Sequence, residues 1–293
     1  MTYEHIGAIP FIAFAIGSIL ATLIPLGLAI FWTVKKKENF GVIVAGAAAF
    51  FLFAIVIEKI IQNVLIFPTA LGLKDNAVSL FVGARPILLS FIAALFPGVF
   101  EETGRLITYK TVLKKHKNRE TSISYGIGHG GFEVMFLLGS TYTTYLYYAF
   151  LINTDSFGKI VDQVMEQAPS QLGTLEALVT AISAFSFADL GVAVIERVFA
   201  VLFHVGASII VFYACKDRKK IWLYPLAIAL HTAMDFVAAL YLFEVIHISA
   251  FTLELIIAVF GTLVFFGAYL LLYKKDVVES PAEANTDHFV QAR

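Results

Sequence analysis

Apolar runs of about 20 residues or more recur along the whole chain, each long enough to cross a hydrocarbon core of roughly 30 Å. They lie near 6–33, 40–67, 80–112, 121–152, 189–215, 221–243 and 250–273. Backbone polar groups have no water to bond inside lipid, so runs of this kind must close their hydrogen bonds internally, as helices. The expected fold is therefore all-α, a bundle of about seven transmembrane helices in a multi-pass cell-membrane protein, with a bacterial plasma membrane as its setting. Composition agrees: 59% of the 293 residues are hydrophobic and 15% charged, too little polar surface for a water-soluble domain. The first run is too long for the apolar part of a signal peptide and lacks a basic start, so it reads as a retained helix.

Charge orders the runs. Lys35–Lys37, the KKHKNR stretch from Lys114, the KDRKK stretch from Lys216, and Lys274–Lys275 follow the first, third, fifth and seventh runs, while the intervening loops are neutral or acidic. By the positive-inside rule this alternation places the N-terminus outside and the C-terminus in the cytoplasm. Residues 1–275 read as one transmembrane domain with a catalytic core at about 80–243, followed by a polar cytoplasmic tail, 276–293. The segment 153–175 reads as the longest loop, and 176–187 as an interfacial stretch or a lead into the fifth span. A net charge of −1 suggests no nucleic-acid partner. One cysteine, Cys215, excludes an internal disulfide and any cysteine-based metal cluster.

Ionisable residues inside the runs carry the functional signal, because each charge in the membrane centre costs about 2.5–3.5 kcal/mol. They are Glu101, Glu102 and Arg105 on the third run, His129 and Glu133 on the fourth, Glu196, Arg197 and His204 on the fifth, and His231 and Asp235 on the sixth. Glu101/Arg105, His129/Glu133 and His231/Asp235 are four apart, so each pair shares a helix face. Counted from the basic end at 1.5 Å per residue, Glu101, His129, His204 and His231 fall in one layer roughly 14–18 Å deep. Each group also has a plainer reading. A lone membrane histidine commonly packs and hydrogen-bonds, Glu101 and Arg105 can neutralise each other, and Arg105 and Arg197 can hold acids in place. Glu58 and Lys59 read as a self-compensating pair near the outer interface. Pro97-Gly98 suggests a kink or local opening in the third span, and the glycines of GIGHGG around His129 suit close helix approach.

Two glutamates, three histidines and an aspartate on four helices exceed what packing requires. A carboxylate in a poorly hydrated cavity can take a proton from water, and histidines oriented by an acid can stabilise an oxyanion. That is hydrolysis of an amide by activated water. The chain has no GxSxG and no HExxH motif, which argues against serine and standard zincin mechanisms.

The set EETGR (101–105), GIGHGGFE (126–133), RVFAVLFH (197–204) and HTAMD (231–235) resembles the YhfC group of intramembrane proteases. That group is similar to the PrsW proteases and, more distantly, to the CAAX-prenyl-protease and bacteriocin-immunity (CPBP) clan. The resemblance covers the third to sixth runs, with the motifs in order. It implies a peptide or transmembrane-protein substrate, Glu101 or Glu102 as the water-activating group, and His204, His231 and Asp235 as water-binding or oxyanion-stabilising groups. Of the glutamate pair, the resemblance points to Glu101 as the base, leaving Glu102 with Arg105 as a supporting ion pair. Arg105, His129, Glu133 and Arg197 would support the site. His129 stands where the related group usually has phenylalanine, which leaves room for a third histidine in the site. A metal-free glutamic peptidase is the preferred expectation, since no two histidines share a helix at ligand spacing. The metallopeptidase alternative is a zinc site built from His129, His204, His231 and Glu101. Two non-enzymatic rivals use the same residues, a proton-coupled transporter and a haem-binding membrane protein.

Overall fold

A computed structural model describes residues 3–276; the predicted polar tail lies outside the described residues except for Asp276. The described chain is all-helical. Helix α1 spans Ala8–Lys36 and ends on a left-handed Lys37, with Lys35 and Lys36 in its last turn, where cations complement the helix dipole. Asn39 then caps α2, Phe40–Leu65, by accepting from Gly41 N at 2.8 Å. A capping box of Asn76 and Ser79 starts the short α3, Ala77–Gly83, and Pro86 at the first position starts α4, Pro86–Lys110. Helix α5 runs as Glu120–Val134, a π-helical turn Met135–Gly139, and Ser140–Asn153. Two shorter helices follow, α6, Gly158–Gln167, and α7, Leu172–Ala184. The long α8, Phe187–Lys216, begins at a Ser186/Asp189 capping box. Helix α9 spans Leu223–Leu242, and α10, Ala250–Tyr273, is capped by Ser249.

Six of these helices are both long and apolar enough to cross a membrane: α1, α2, α4, α8, the helix ending in α9, and α10. The predicted fourth crossing, α5, is long enough, but its first half is rich in glycine and polar residues and does not qualify on composition. Its geometry nevertheless matches a crossing. It runs antiparallel beside α1 throughout, with Trp32 Nε1 donating to Ser124 Oγ at 3.0 Å near one end and Asn153 Oδ1 accepting from Ile6 N at 2.7 Å at the other.

Several local expectations are corrected. The third apolar run is cut between α3 and α4, because Pro86 lacks an N–H and restricts the residue before it. The expected loop 153–175 contains α6 and a 3₁₀ turn, and 176–187 belongs largely to α7, a separate helix joined to α8 through Phe185 and Ser186. Pro97 lies within α4, which continues as helix on both sides of it, so the helix is not opened there. Glu58 does bond Lys59 at 3.0 Å, and its side chain is buried inside the bundle. It ends an unexpected π-helical stretch of α2, Phe51–Glu58, and such turns re-aim the face that a helix presents.

Packing around α5 follows from its glycines. A Cβ on Gly128 would lie 1.9 Å from the Ile43 carbonyl oxygen of α2, and one on Gly126 would lie 2.6 Å from Val205 Cα of α8. On α4, a Cβ on Gly98 would meet Thr232 Oγ1 of α9 at 2.4 Å. Backbones touch at these points, so the helices carrying the ionisable residues sit unusually close together. Large apolar side chains such as Leu23, Phe31, Phe251 and Leu263 point outward, as lipid-facing residues do. The four basic clusters gather at one end of the bundle. There Asn118 bonds Glu38, while Asp276 receives Lys216 Nζ at 2.5 Å and its carbonyl accepts from Arg119 at 3.1 Å.

Candidate active site

The ionisable residues of α4, α5, α8 and α9 meet around one atom, Glu101 Oε2. His129 Nε2 lies 2.9 Å from it, within hydrogen-bond reach. His204 Nδ1 and His231 Nε2 each lie 3.9 Å away, too far for a hydrogen bond but gathered around the same oxygen. Glu101, His129, His204 and His231 are all buried, and the layer predicted from depth alone is a physical cluster.

Glu102 faces a different set of partners. It is in direct contact with Arg105 and, through Oε1, lies 2.7 Å from His231 Nδ1. A carboxylate behind a histidine fixes the orientation of the ring and turns the other nitrogen outward, here towards Glu101. Asp235, one turn along α9, lies 3.4 Å from that same Nε2.

Arg105 is completely buried and ties the cluster together. Its guanidinium contacts Glu102, reaches Ser208 Oγ at 3.3 Å, and places Nη2 2.6 Å from His204 Nδ1 and 3.9 Å from Glu101. A guanidinium can only donate, so His204 Nδ1 accepts and the proton of the neutral ring sits on Nε2. That nitrogen contacts Glu133, which in turn accepts from Arg197 Nη1 at 2.9 Å. Arg197 also grips Glu196 on its own helix. The predicted residues therefore form one network, with Glu101 and the histidines at its centre and Arg197 and the partly open Asp235 at its margins.

Sequence reasoning missed Ser208, Tyr125 and the inward position of Glu58. Ser208 and Tyr125 were findable, since one lies four residues after His204 and the other four before His129, on the same helix faces. On the basic side of the site Tyr125 stacks near Tyr109, with ring centroids 4.8 Å apart, and Tyr109 packs on Phe212 at 5.5 Å. All three are buried and close that side.

The donor set can be tested for a metal. Glu101, His129 and His204 offer ligand atoms that all lie within 4.8 Å of one another. Two imidazoles and a carboxylate suit zinc, and a site with three protein ligands leaves a position for water. His129 Nε2 already meets Glu101 at 2.9 Å, and His204 Nδ1 would exchange its contact with Arg105 for the ion, so the residue types fit.

The chain is similar to the uncharacterized membrane protein YhfC of Bacillus subtilis (strain 168), being 27% identical over 249 residues that cover 85% of this chain and 91% of that protein. No solved structure matches it. The sequence profile of the YhfC intramembrane metalloprotease family matches residues 20–257, which contain every member of the network, and the chain belongs to that family.

Proposed function

We propose that this protein hydrolyses a peptide bond of a membrane-embedded protein at Glu101, within a catalytic core of about 80–243, and that it does so with a bound metal. The observation that carries the reading is the convergence of three histidines from three helices on Glu101 Oε2. Glu101, His129 and His204 would hold the ion. Bound there, it would polarise the scissile carbonyl and acidify a water.

The remaining residues work around that point. His231 Nε2, held by Glu102 from behind and by Asp235 alongside, faces the open side, where it can donate to a developing oxyanion or take up a proton from water. Arg105 holds Glu102 in place, and Glu133 with Arg197 locks the far edge of the His204 ring.

A metal-free glutamic mechanism has one observation in its favour. Arg105 already presents a cation 2.6 Å from His204 and 3.9 Å from Glu101, and Glu101 would then itself take the proton of water. Metal analysis of the purified protein, run beside a peptide-cleavage assay, separates the two. The metal reading expects near-stoichiometric zinc or a similar divalent ion, activity lost on chelation and restored by the ion, and an inactive His129→Phe variant. Full activity in metal-free protein and in His129→Phe overturns it in favour of glutamic chemistry. Full activity in Glu101→Gln overturns both.

The orientation belongs to the same proposal. It takes the end of the bundle that gathers the basic clusters as cytoplasmic, by the positive-inside rule, and the N-terminus as outside.

A further inference from the structure

Along the helix axes, the buried cluster is closed at one end of the bundle and open at the other. Towards the basic end it is covered by the packed rings of Tyr109, Tyr125 and Phe212. Towards the other end a cleft of about 570 Å³ opens between α2, α4 and α9, and its inner wall includes Asp235. The Asp235 side chain keeps 28% of its surface exposed, whereas those of Glu101, Glu102 and His231 keep 8% or less. Because α2 and α9 both start at the basic end, the cleft residues Lys59, Gln62, Ala238 and Phe243 near their last turns belong to the opposite end.

The walls of the cleft combine small and polar groups. Ala93 of α4 and Ala238 of α9 leave space where longer side chains would close it, and the Gln62 amide is held by donating to Ala93 O at 3.2 Å. Lys59 stands at the mouth with its side chain half exposed and its ammonium 3.0 Å from Glu58. Glu58 is buried and lies within electrostatic reach of Glu101 and His231. Lys59, Glu58, Asp235 and His231 thus form a polar line from the mouth to the site through otherwise apolar helices. A cleft of that size has room for several waters, each occupying about 30 Å³.

We propose that this cleft is the route by which water and an extended substrate segment reach the site, from the membrane face opposite the basic clusters. The Glu58–Lys59 pair keeps the route hydrated. The scissile segment must arrive unwound, because a helix with side chains is about 10–12 Å across and the alanine-lined slot lies between neighbouring helices. The substrates are therefore membrane proteins with an extended segment at that face. This inference rests on the peptidase reading, and its test is arranged so that the two can fail separately.

In a Cys215→Ser background, Ala238→Cys is treated with a charged, membrane-impermeant methanethiosulfonate on right-side-out and inside-out vesicles. His116→Cys serves as the reference for the basic end. The cleft predicts that positions 238 and 116 react from opposite faces. It also predicts that modification at 238 lowers cleavage at least tenfold relative to the same unmodified variant. An unreactive position 238, or one reactive from the face of position 116, overturns the route. Modification at 238 that leaves cleavage unchanged overturns passage of the substrate through it. A protein that labels as expected but cleaves nothing before modification removes the peptidase reading and leaves a water-filled cleft.

Discussion

Arg105 has no exposed surface, and a buried guanidinium is tolerable only when its donors are matched. Glu102, His204 and Ser208 supply that match, so the neighbouring glutamates are unequal. Glu102 is spent on holding Arg105 and His231, while Glu101 faces three histidine nitrogens. Glu101→Gln should lower peptide cleavage by at least about 10²-fold, by losing an ion ligand on the metal reading or the proton acceptor of water on the glutamic one, with little change in thermal unfolding. Glu102→Gln should instead destabilise the fold by about 3–5 kcal/mol, because it strands a buried cation; a fall in the unfolding temperature in detergent checks this. Equal unfolding temperatures for the two variants would contradict the division of labour. The choice between the two carboxylates was only partly legible in the sequence. Both lie within reach of Arg105 along α4, and the rotation of that helix depends on what packs against it.

Among the elements, α5 is decisive. Its first half is too polar and glycine-rich to look like an ordinary crossing, yet it is the helix that α1, α2 and α8 pack against. The glycines let two of those backbones approach His129 from opposite sides. Gly128→Ala would push a methyl group against a backbone carbonyl of α2, which cannot move like a side-chain tip, and overpacking of this kind costs about 1–3 kcal/mol. Thermal unfolding should show that loss, whereas Gly27→Ala on α1, where a Cβ meets nothing within 4 Å, should show none. If Gly128→Ala proved as stable as Gly27→Ala, close approach would not be what those glycines provide. The π-helical stretch of α2 had no sequence signal. Along it α2 passes α4, where the Phe53 ring fills the space beside Gly104, and it ends on the inward Glu58.

For the whole molecule, the basic clusters meet at one end through contacts between segments far apart in the chain, such as Lys216 and Arg119 with Asp276. Single cysteines at His116 and Asp217 should therefore be labelled from the cytoplasm, and those at Asp75 and Asp162 from outside. Labelling of positions 116 and 162 from the same face would mean that α5 does not cross, and the count of crossings would fall by one.

The amino-acid sequence alone determined that this protein is a helical membrane bundle, which ends of its helices share a face, and at what depth its ionisable residues lie. Each of these depends only on position along a helix axis, which hydrophobic length and charge fix one residue at a time. Tertiary structure decided the rest: that Glu101 and not Glu102 is the centre of the histidines, that Glu58 is inside, that Tyr109, Tyr125 and Phe212 close one side, and that a cleft opens on the other. All of these depend on rotation about the helix axes and on the spacing between them. Those are set by glycine contacts and π-helical turns between segments distant in the chain, and the period of a single helix does not encode them.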